Sequence, residues 1–436
     1  MSVRSKRRQK VPAIAAGMSC VTTGAAVVSA WACAPAASAD YLPGNYSVVN
    51  TTGSTQEYSI SFVATLSAPF SSALAGGSLA GSVTDLGGDG AQLSAVSSSA
   101  IYTALVDGVE IAELLSAPFS ASADAFSSAS IGPVSFGAPI PSQPVGPVNN
   151  NFQINLNFLL SSGDAASFTS DFVLTAVPAP GALALAGAAS VLSRRRRRRT
   201  SLTAAGLTTL GLAAAAPADG PPVQVNLQVD STSNPMLPTG VATGAPGTFQ
   251  YSGSSNLAAD HSFNFSMIGT EISAAGRALL GGSLNYSNIS NQTQLVSMSI
   301  ELPALINNGS SLIGGSFAGS FTANGDGGFM TMSSPAQLSL WEAAIGGTTV
   351  GLMNGWGGVV LTPNASASLG SHSFGLPGPS MIGPGAFTST RILMSFLISA
   401  GDSTSFSTVF VAQPVPAPGA VALIAVGVCA ISRRRR

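Results

Sequence analysis

Positive charge is almost missing from the body of this 436-residue chain. Of its 17 lysines and arginines, five are Arg4, Lys6, Arg7, Arg8 and Lys10, six fill 194–199 and four fill 433–436. Only Arg277 and Arg391 remain elsewhere, and no lysine does. All 18 acidic residues lie outside those runs, so residues 40–176 carry net −10 and 219–413 about −6. Such surfaces repel phosphate backbones, which excludes nucleic acid as a partner. Cysteine is equally scarce. Cys20, Cys33 and Cys429 all fall in apolar segments near the ends, so the body has neither a disulfide framework nor thiol chemistry.

What is present is a three-part segment, written twice. Val177-Pro178-Ala179-Pro180-Gly181-Ala182 leads into an apolar stretch and then six arginines, bounded by Arg194 and Arg199. Val415-Pro416-Ala417-Pro418-Gly419-Ala420 leads into another, closed by the run from Arg433 to Arg436. Proline and glycine break the preceding structure, an apolar span can enter a bilayer, and arginines resist crossing it. At the other end, a basic start, an apolar stretch from Val11 to Trp31 and the small-x-small site Ala37-Ser38-Ala39 read as a secretory signal peptide. A second signal-like stretch at 200–218 ends in Ala216-Pro217-Ala218. With the arginines held on the cytoplasmic side, both flanking regions lie outside the membrane.

The Pro-x-Pro box, apolar span and terminal basic cluster resemble the PEP-CTERM sorting signal of bacterial surface and secreted proteins. Ala179 and Ala417 stand where that family usually has glutamate. The resemblance implies Sec export, handling at the inner membrane by an exosortase-like transpeptidase, and an association with exopolysaccharide.

Internal repetition sets the domain organisation. At a fixed offset of 238 (Gly77 against Gly315), Gly77-Ser78-Leu79-Ala80-Gly81-Ser82-Val83-Thr84 matches Gly315-Ser316-Phe317-Ala318-Gly319-Ser320-Phe321-Thr322. Phe158, Gly163-Asp164, Phe168 and Phe172 match Phe396, Gly401-Asp402, Phe406 and Phe410, and Tyr102 falls against Trp341 one residue further on. A period this long means duplicated domains rather than a solenoid. The expected order is signal peptide 1–39, first unit 40–176, internal tail 177–199, second signal-like segment 200–218, second unit 219–413 and C-terminal tail 414–436.

Both units read as β. Residues 152–158, 223–229, 58–62 and 263–267 alternate apolar and polar, and Ile392, Met394 and Phe396 share a face. Period-two alternation puts one face of a strand in a core and the other in water. The expected fold is all-β: two tandem antiparallel β-sandwiches, jelly-roll or Ig-like, flanked by short apolar signal or anchor helices. Residues 221–280 lack a clear counterpart in the first unit. If they add strands, the first unit is expected to expose a sheet edge that its partner covers.

Chemistry is harder to find. His261 and His372 are the only histidines and the first unit has none, so histidine-dependent catalysis in both copies is excluded. No Gly-x-Ser-x-Gly elbow, His/Cys ligand cluster or phosphate loop occurs. Asp164 and Asp402 recur without a recurring acidic partner. The loop Asp85-Leu86-Gly87-Gly88-Asp89-Gly90 and its counterpart Asn324-Gly325-Asp326-Gly327 read as hairpin turns, with too few local oxygens for Ca²⁺. Neither a catalytic residue, a cofactor nor a metal site is assigned. Trp341 and Trp356 are the candidates for stacking on a sugar ring, although core packing is the commoner fate of such residues. The expected role is a non-enzymatic, exported protein of the cell surface or extracellular matrix, with a carbohydrate-binding module as the alternative.

Overall fold

Small apolar and small polar residues in alternation, punctuated by Gly, Asn and Ser, favour strands over helices. In the computed structural model every regular element among the described residues is a strand. Those residues are 39–177 and 220–415, apart from 67, 138–139, 257–259, 271–275, 307–309, 333–338, 354–357 and 385–386. The all-β expectation therefore holds. The segments expected to form flanking helices lie outside the described residues, among which no helix is long and apolar enough to cross a membrane.

The first repeat supplies eleven strands: β1 (Ala39–Val49), β2 (Gln56–Thr65), β3 (Ala73–Asp85), β4 (Ala91–Ala95), β5 (Ala100–Val106), β6 (Val109–Ser116), β7 (Ser120–Ala123), β8 (Ser128–Phe136), β9 (Gln143–Val145), β10 (Asn151–Leu160) and β11 (Asp164–Ala176). Five more precede the second copy: β12 (Gln224–Val229), β13 (Thr232–Met236), β14 (Val241–Ala242), β15 (Thr248–Ser255) and β16 (His261–Thr270). The second copy follows as β17 (Ala278–Asn288), β18 (Gln294–Ile306), β19 (Ser311–Thr322), β20 (Gly328–Met332), β21 (Trp341–Ile345), β22 (Thr348–Met353), β23 (Val359–Leu361), β24 (Ser366–Phe374), β25 (Met381–Gly383), β26 (Phe387–Ile398) and β27 (Ser403–Pro414).

Each repeat pairs two antiparallel sheets. In the first, β1-β11-β3-β8 with β9 forms one sheet, and β6-β5-β10-β4-β7 with β2 the other. The second repeats this order as β17-β27-β19-β24 with β25, and β18-β26-β20-β23 with β21 and β22. β16-β15-β14 extend the former sheet beyond β17, and β12-β13 extend the latter beyond β18. No strand pairing crosses between repeats among the described residues.

The cores follow from the alternation. Leu79, Val83, Phe168 and Phe172 meet Leu93, Tyr102, Ile154 and Phe158 in the first repeat. Phe317, Phe321, Phe406 and Phe410 meet Met330, Trp341, Ile392 and Phe396 in the second. The row on β2 shows what the extra strands do. Tyr58, Ile60, Phe62 and Ala64 are half-buried, whereas their counterparts Val296, Met298, Ile300 and Leu302 on β18 are fully buried.

One expectation fails here. The polar face of the central strands does not look into water. Ser78, Ser82 and Thr84 on β3, Ser167 and Thr169 on β11, Ser316, Ser320 and Thr322 on β19, and Ser403, Ser405 and Ser407 on β27 are all buried. They lie between the two inner sheets, which meet face to face rather than along an edge. Thr169 Oγ1 donates to Ser320 Oγ at 2.9 Å, and its counterpart Ser407 donates to Ser82 Oγ at 2.7 Å. Ser128 pairs with Ser316 at 2.9 Å, and the matching Ser366 with Ser78 at 2.5 Å. These four contacts form two pairs related by exchange of the repeats, the pattern of a two-fold, isologous interface, while others such as Thr84–Ser407 have no image. Small side chains permit the close approach. A Cβ on Gly281 would stand 2.6 Å from Leu86 Cδ2 of the first repeat.

Candidate functional site

The most unusual chemistry lies where β3 runs into its following loop. Asp85 is the last residue of β3 and sits opposite Asp164, the first of β11, in the ladder between them. Both side chains are fully buried. The loop curls back because Gly88 (φ 90°) and Gly90 (φ 92°) adopt left-handed conformations. This brings the Gly87 and Gly88 amides onto Asp85, at 3.2 Å to Oδ1 and 2.8 Å to Oδ2, and the Phe126 amide adds a third donor at 2.5 Å. Asp164 Oδ2 accepts from the Ser161 hydroxyl, and its Oδ1 has no hydrogen-bond partner. One oxygen each of Asp85, exposed Asp89 and Asp164 lies within 4.8 Å of the others. Burial first, then the neighbouring Asp85, push the Asp164 carboxyl up to about 8, against the Ser161 bond that lowers it.

Arg277 of the second repeat reaches this loop. Its Nη2 donates to the Gly87 carbonyl at 2.8 Å, and its guanidinium carbon stands 4.8 Å from the centre of the Phe126 ring. One of the two cations in the body is thus placed across the seam, beside the acidic loop. A cleft of about 480 Å³ opens next to it, lined by Thr51, Gly87 and Ser162 from the first repeat and Thr248, Thr270 and Arg277 from the second.

No family model matches the chain, and no curated protein matches it. The geometry of the two copies is therefore the comparison that informs.

The second repeat builds the same corner differently. Ala323 replaces Asp85, and Asp402, the counterpart of Asp164, accepts the Asn324 amide at 2.9 Å on Oδ1 and the Ser399 hydroxyl on Oδ2. Its carboxyl is raised less, to about 6, chiefly by burial. A single buried carboxylate with both oxygens bonded stands where the first repeat has a pair and an orphaned oxygen. The adjoining corners are near copies. Asn50 Nδ2 donates to the carbonyls of Ser54, Leu160 and Ser161, and Asn288 Nδ2 to those of Gln292, Ile398 and Ser399. Sequence analysis overlooked these asparagines. Their shared offset was the available signal.

The residues singled out in the sequence fare unevenly. Trp341 is fully buried, and its Nε1 donates to Thr408 Oγ1 at 2.7 Å. It offers no face to a sugar, so its assignment to stacking is corrected: β21 aims the ring into the core. Tyr102 is buried likewise, its hydroxyl bonded to the Asp171 carbonyl at 2.9 Å. Trp356 lies outside the described residues. His261 is stacked on Tyr286 and His372 on Phe317, with ring centres 5.8 and 5.3 Å apart. The Asp85 loop is a turn as expected, but counting local ligands missed Asp164, which the β3–β11 register delivers.

Of the tail residues, Val177 and Val415 are described and equivalent. Their amides donate to the carbonyls of Ser72 and Ser310, each at 2.9 Å. Pro178, Pro180, Gly181, Arg194, Arg199, Pro416, Pro418, Gly419, Arg433 and Arg436 lie outside the described residues, as do Ala37, Ala216 and Ala218. Ala39 opens β1 opposite Thr175.

Proposed function

We propose that the protein is an exported, non-enzymatic component of the cell surface or extracellular matrix, in which two β-sandwiches are fused back to back into one block. Sec export would deliver it, and an exosortase-like transpeptidase at the inner membrane would act on the Pro-x-Pro tail. Exopolysaccharide is the surrounding material with which it would associate. The observation that carries this reading is the duplicated exit: both repeats end with the same valine amide bonded to the same serine carbonyl, immediately before the tail. A tail joined to a folded block at a fixed point suits retention or release of that block as a unit. The non-enzymatic part rests on how polar groups are used. Among the described residues, the histidines pack on aromatic rings, and the recurring aspartates are held inside by hydroxyl and amide donors. Burial of Trp341 takes one of the two tryptophans away from the carbohydrate-binding alternative, which then rests on Trp356, outside the described residues.

Fractionation of the native host, with N-terminal sequencing and intact mass of the recovered protein, tests the proposal. Recovery from the envelope or medium with a start at Asp40 and loss of the terminal arginines is expected. A cytoplasmic protein retaining Arg4 and Arg436 would overturn it.

A further inference from the structure

Two carboxylates directly opposite one another in a β-ladder repel, and burial strengthens the repulsion by removing water. Asp85 and Asp164 are in this position, and both are fully buried. Three backbone amides already serve Asp85. Asp164 Oδ1 is left without a donor in the interior, a state that costs a buried polar atom its full desolvation. A third carboxylate, Asp89, closes over the pair from the exposed turn. The second repeat removes the conflict by replacing the first aspartate with Ala323 and giving Asp402 an amide on its free oxygen. The first repeat keeps three converging carboxyl groups with an unbonded oxygen among them, an arrangement that a bound cation would satisfy.

We propose that Asp85, Asp89 and Asp164 form a calcium site. The donors are all oxygen, which suits a hard divalent ion and not zinc or copper. Oxygens within 4.8 Å of one another can share one ion at Ca–O distances of about 2.4 Å, and calcium tolerates an irregular mixture of protein and water ligands, whereas magnesium demands near-ideal octahedral geometry and gives up its waters reluctantly. Exposed Asp89 lies on the solvent side, where water would complete the coordination. The bound ion would tie the turn after β3 to the start of β11. The same turn holds Arg277 of the second repeat through the Gly87 carbonyl, so calcium would also brace the seam.

Calorimetric titration of CaCl₂ into the EDTA-treated full chain at neutral pH, paired with thermal melts, tests the site. One calcium per chain and a melting temperature several degrees higher in millimolar calcium are expected. Asp164→Asn should abolish binding and Asp89→Asn should weaken it at least tenfold, whereas Asp402→Asn in the second repeat should leave it unchanged. Should Asp164→Asn fail to fold, Asp89→Asn, altered only on the exposed turn, still decides. Absence of binding at millimolar calcium, binding indifferent to Asp89→Asn, or magnesium bound as tightly as calcium would each overturn the proposal.

Discussion

Asp171 sits on β11 at the seam, where the second repeat has Val409. Its Oδ1 accepts the Ser78 amide at 2.5 Å and the Ser78 hydroxyl at 2.6 Å, while Oδ2 has no partner. Burial, opposed by the Ser78 bonds, pushes its carboxyl from the ordinary 3.8 to about 8. The titratable neighbours are Tyr41 and Tyr102, whose phenols are raised above 10 by burial and by Asp171, and so stay neutral throughout this range. Because the folded value is raised, the folded chain holds a proton that the unfolded chain releases above about pH 4. Stability from this group is therefore complete at lower pH and lost as pH rises through about 8, at up to about 1.4 kcal/mol per pH unit. Asp171→Asn keeps the shape and stays neutral at every pH. Denaturant titrations from pH 5 to 9 should show the wild type weakening with pH and the variant weakening less. Parallel curves would contradict the assignment.

Strands carry the same alternation whether their polar face meets water or protein, and this is where sequence reasoning divides. Residues 152–158 and 263–267 fall inside β10 and β16, with Phe152, Ile154, Phe263 and Met267 fully buried, because apolar side chains every second residue define a core face without further context. The other face is ambiguous. Ser59 on β2 is exposed and Ser82 on β3 is fully buried, yet both are serines in alternating runs. The shortage of large polar side chains and charge on the β3 and β19 faces was the legible hint, and only the partner sheet explains it. Likewise, the turn at 85–90 could be read locally, while Asp164 joins it only through long-range register. Leucine substitutions separate the two serine environments. Ser82→Leu inserts bulk between packed sheets and should cost about 1–3 kcal/mol in chemical denaturation. Ser59→Leu, on an open face, should stay within about 0.5 kcal/mol. Equal costs would mean that the inner sheets do not pack as closely as their hydrogen bonds require.

At the scale of the whole molecule, the two-fold seam gives the halves a reason to stay together that is independent of the chain joining them. Hydroxyl pairs at Thr169–Ser320, Ser82–Ser407 and Ser128–Ser316 are buried and the pair at Ser78–Ser366 is partly so, and separating the repeats would expose them all at once. A second apolar patch spans the seam beside them, where Val49, Leu86 and Phe126 of the first repeat cluster with Ile268, Leu279 and Val409 of the second. Hydrogen bonds between neutral groups contribute modestly one by one, but apolar burial adds to them, and neither depends on residues 178–219. Cutting the chain there need not divide the folded protein. Introduction of a protease site within 178–219, followed by cleavage and gel filtration at micromolar concentration, should give both fragments in one peak at the size of the uncut chain. The double variant Ser82→Leu/Ser320→Leu, which crowds the seam from both sides, should release them as two. Separation of the cleaved wild-type fragments would show that the covalent connection holds the block together, and processing at the internal arginines would then yield two independent surface domains instead of one.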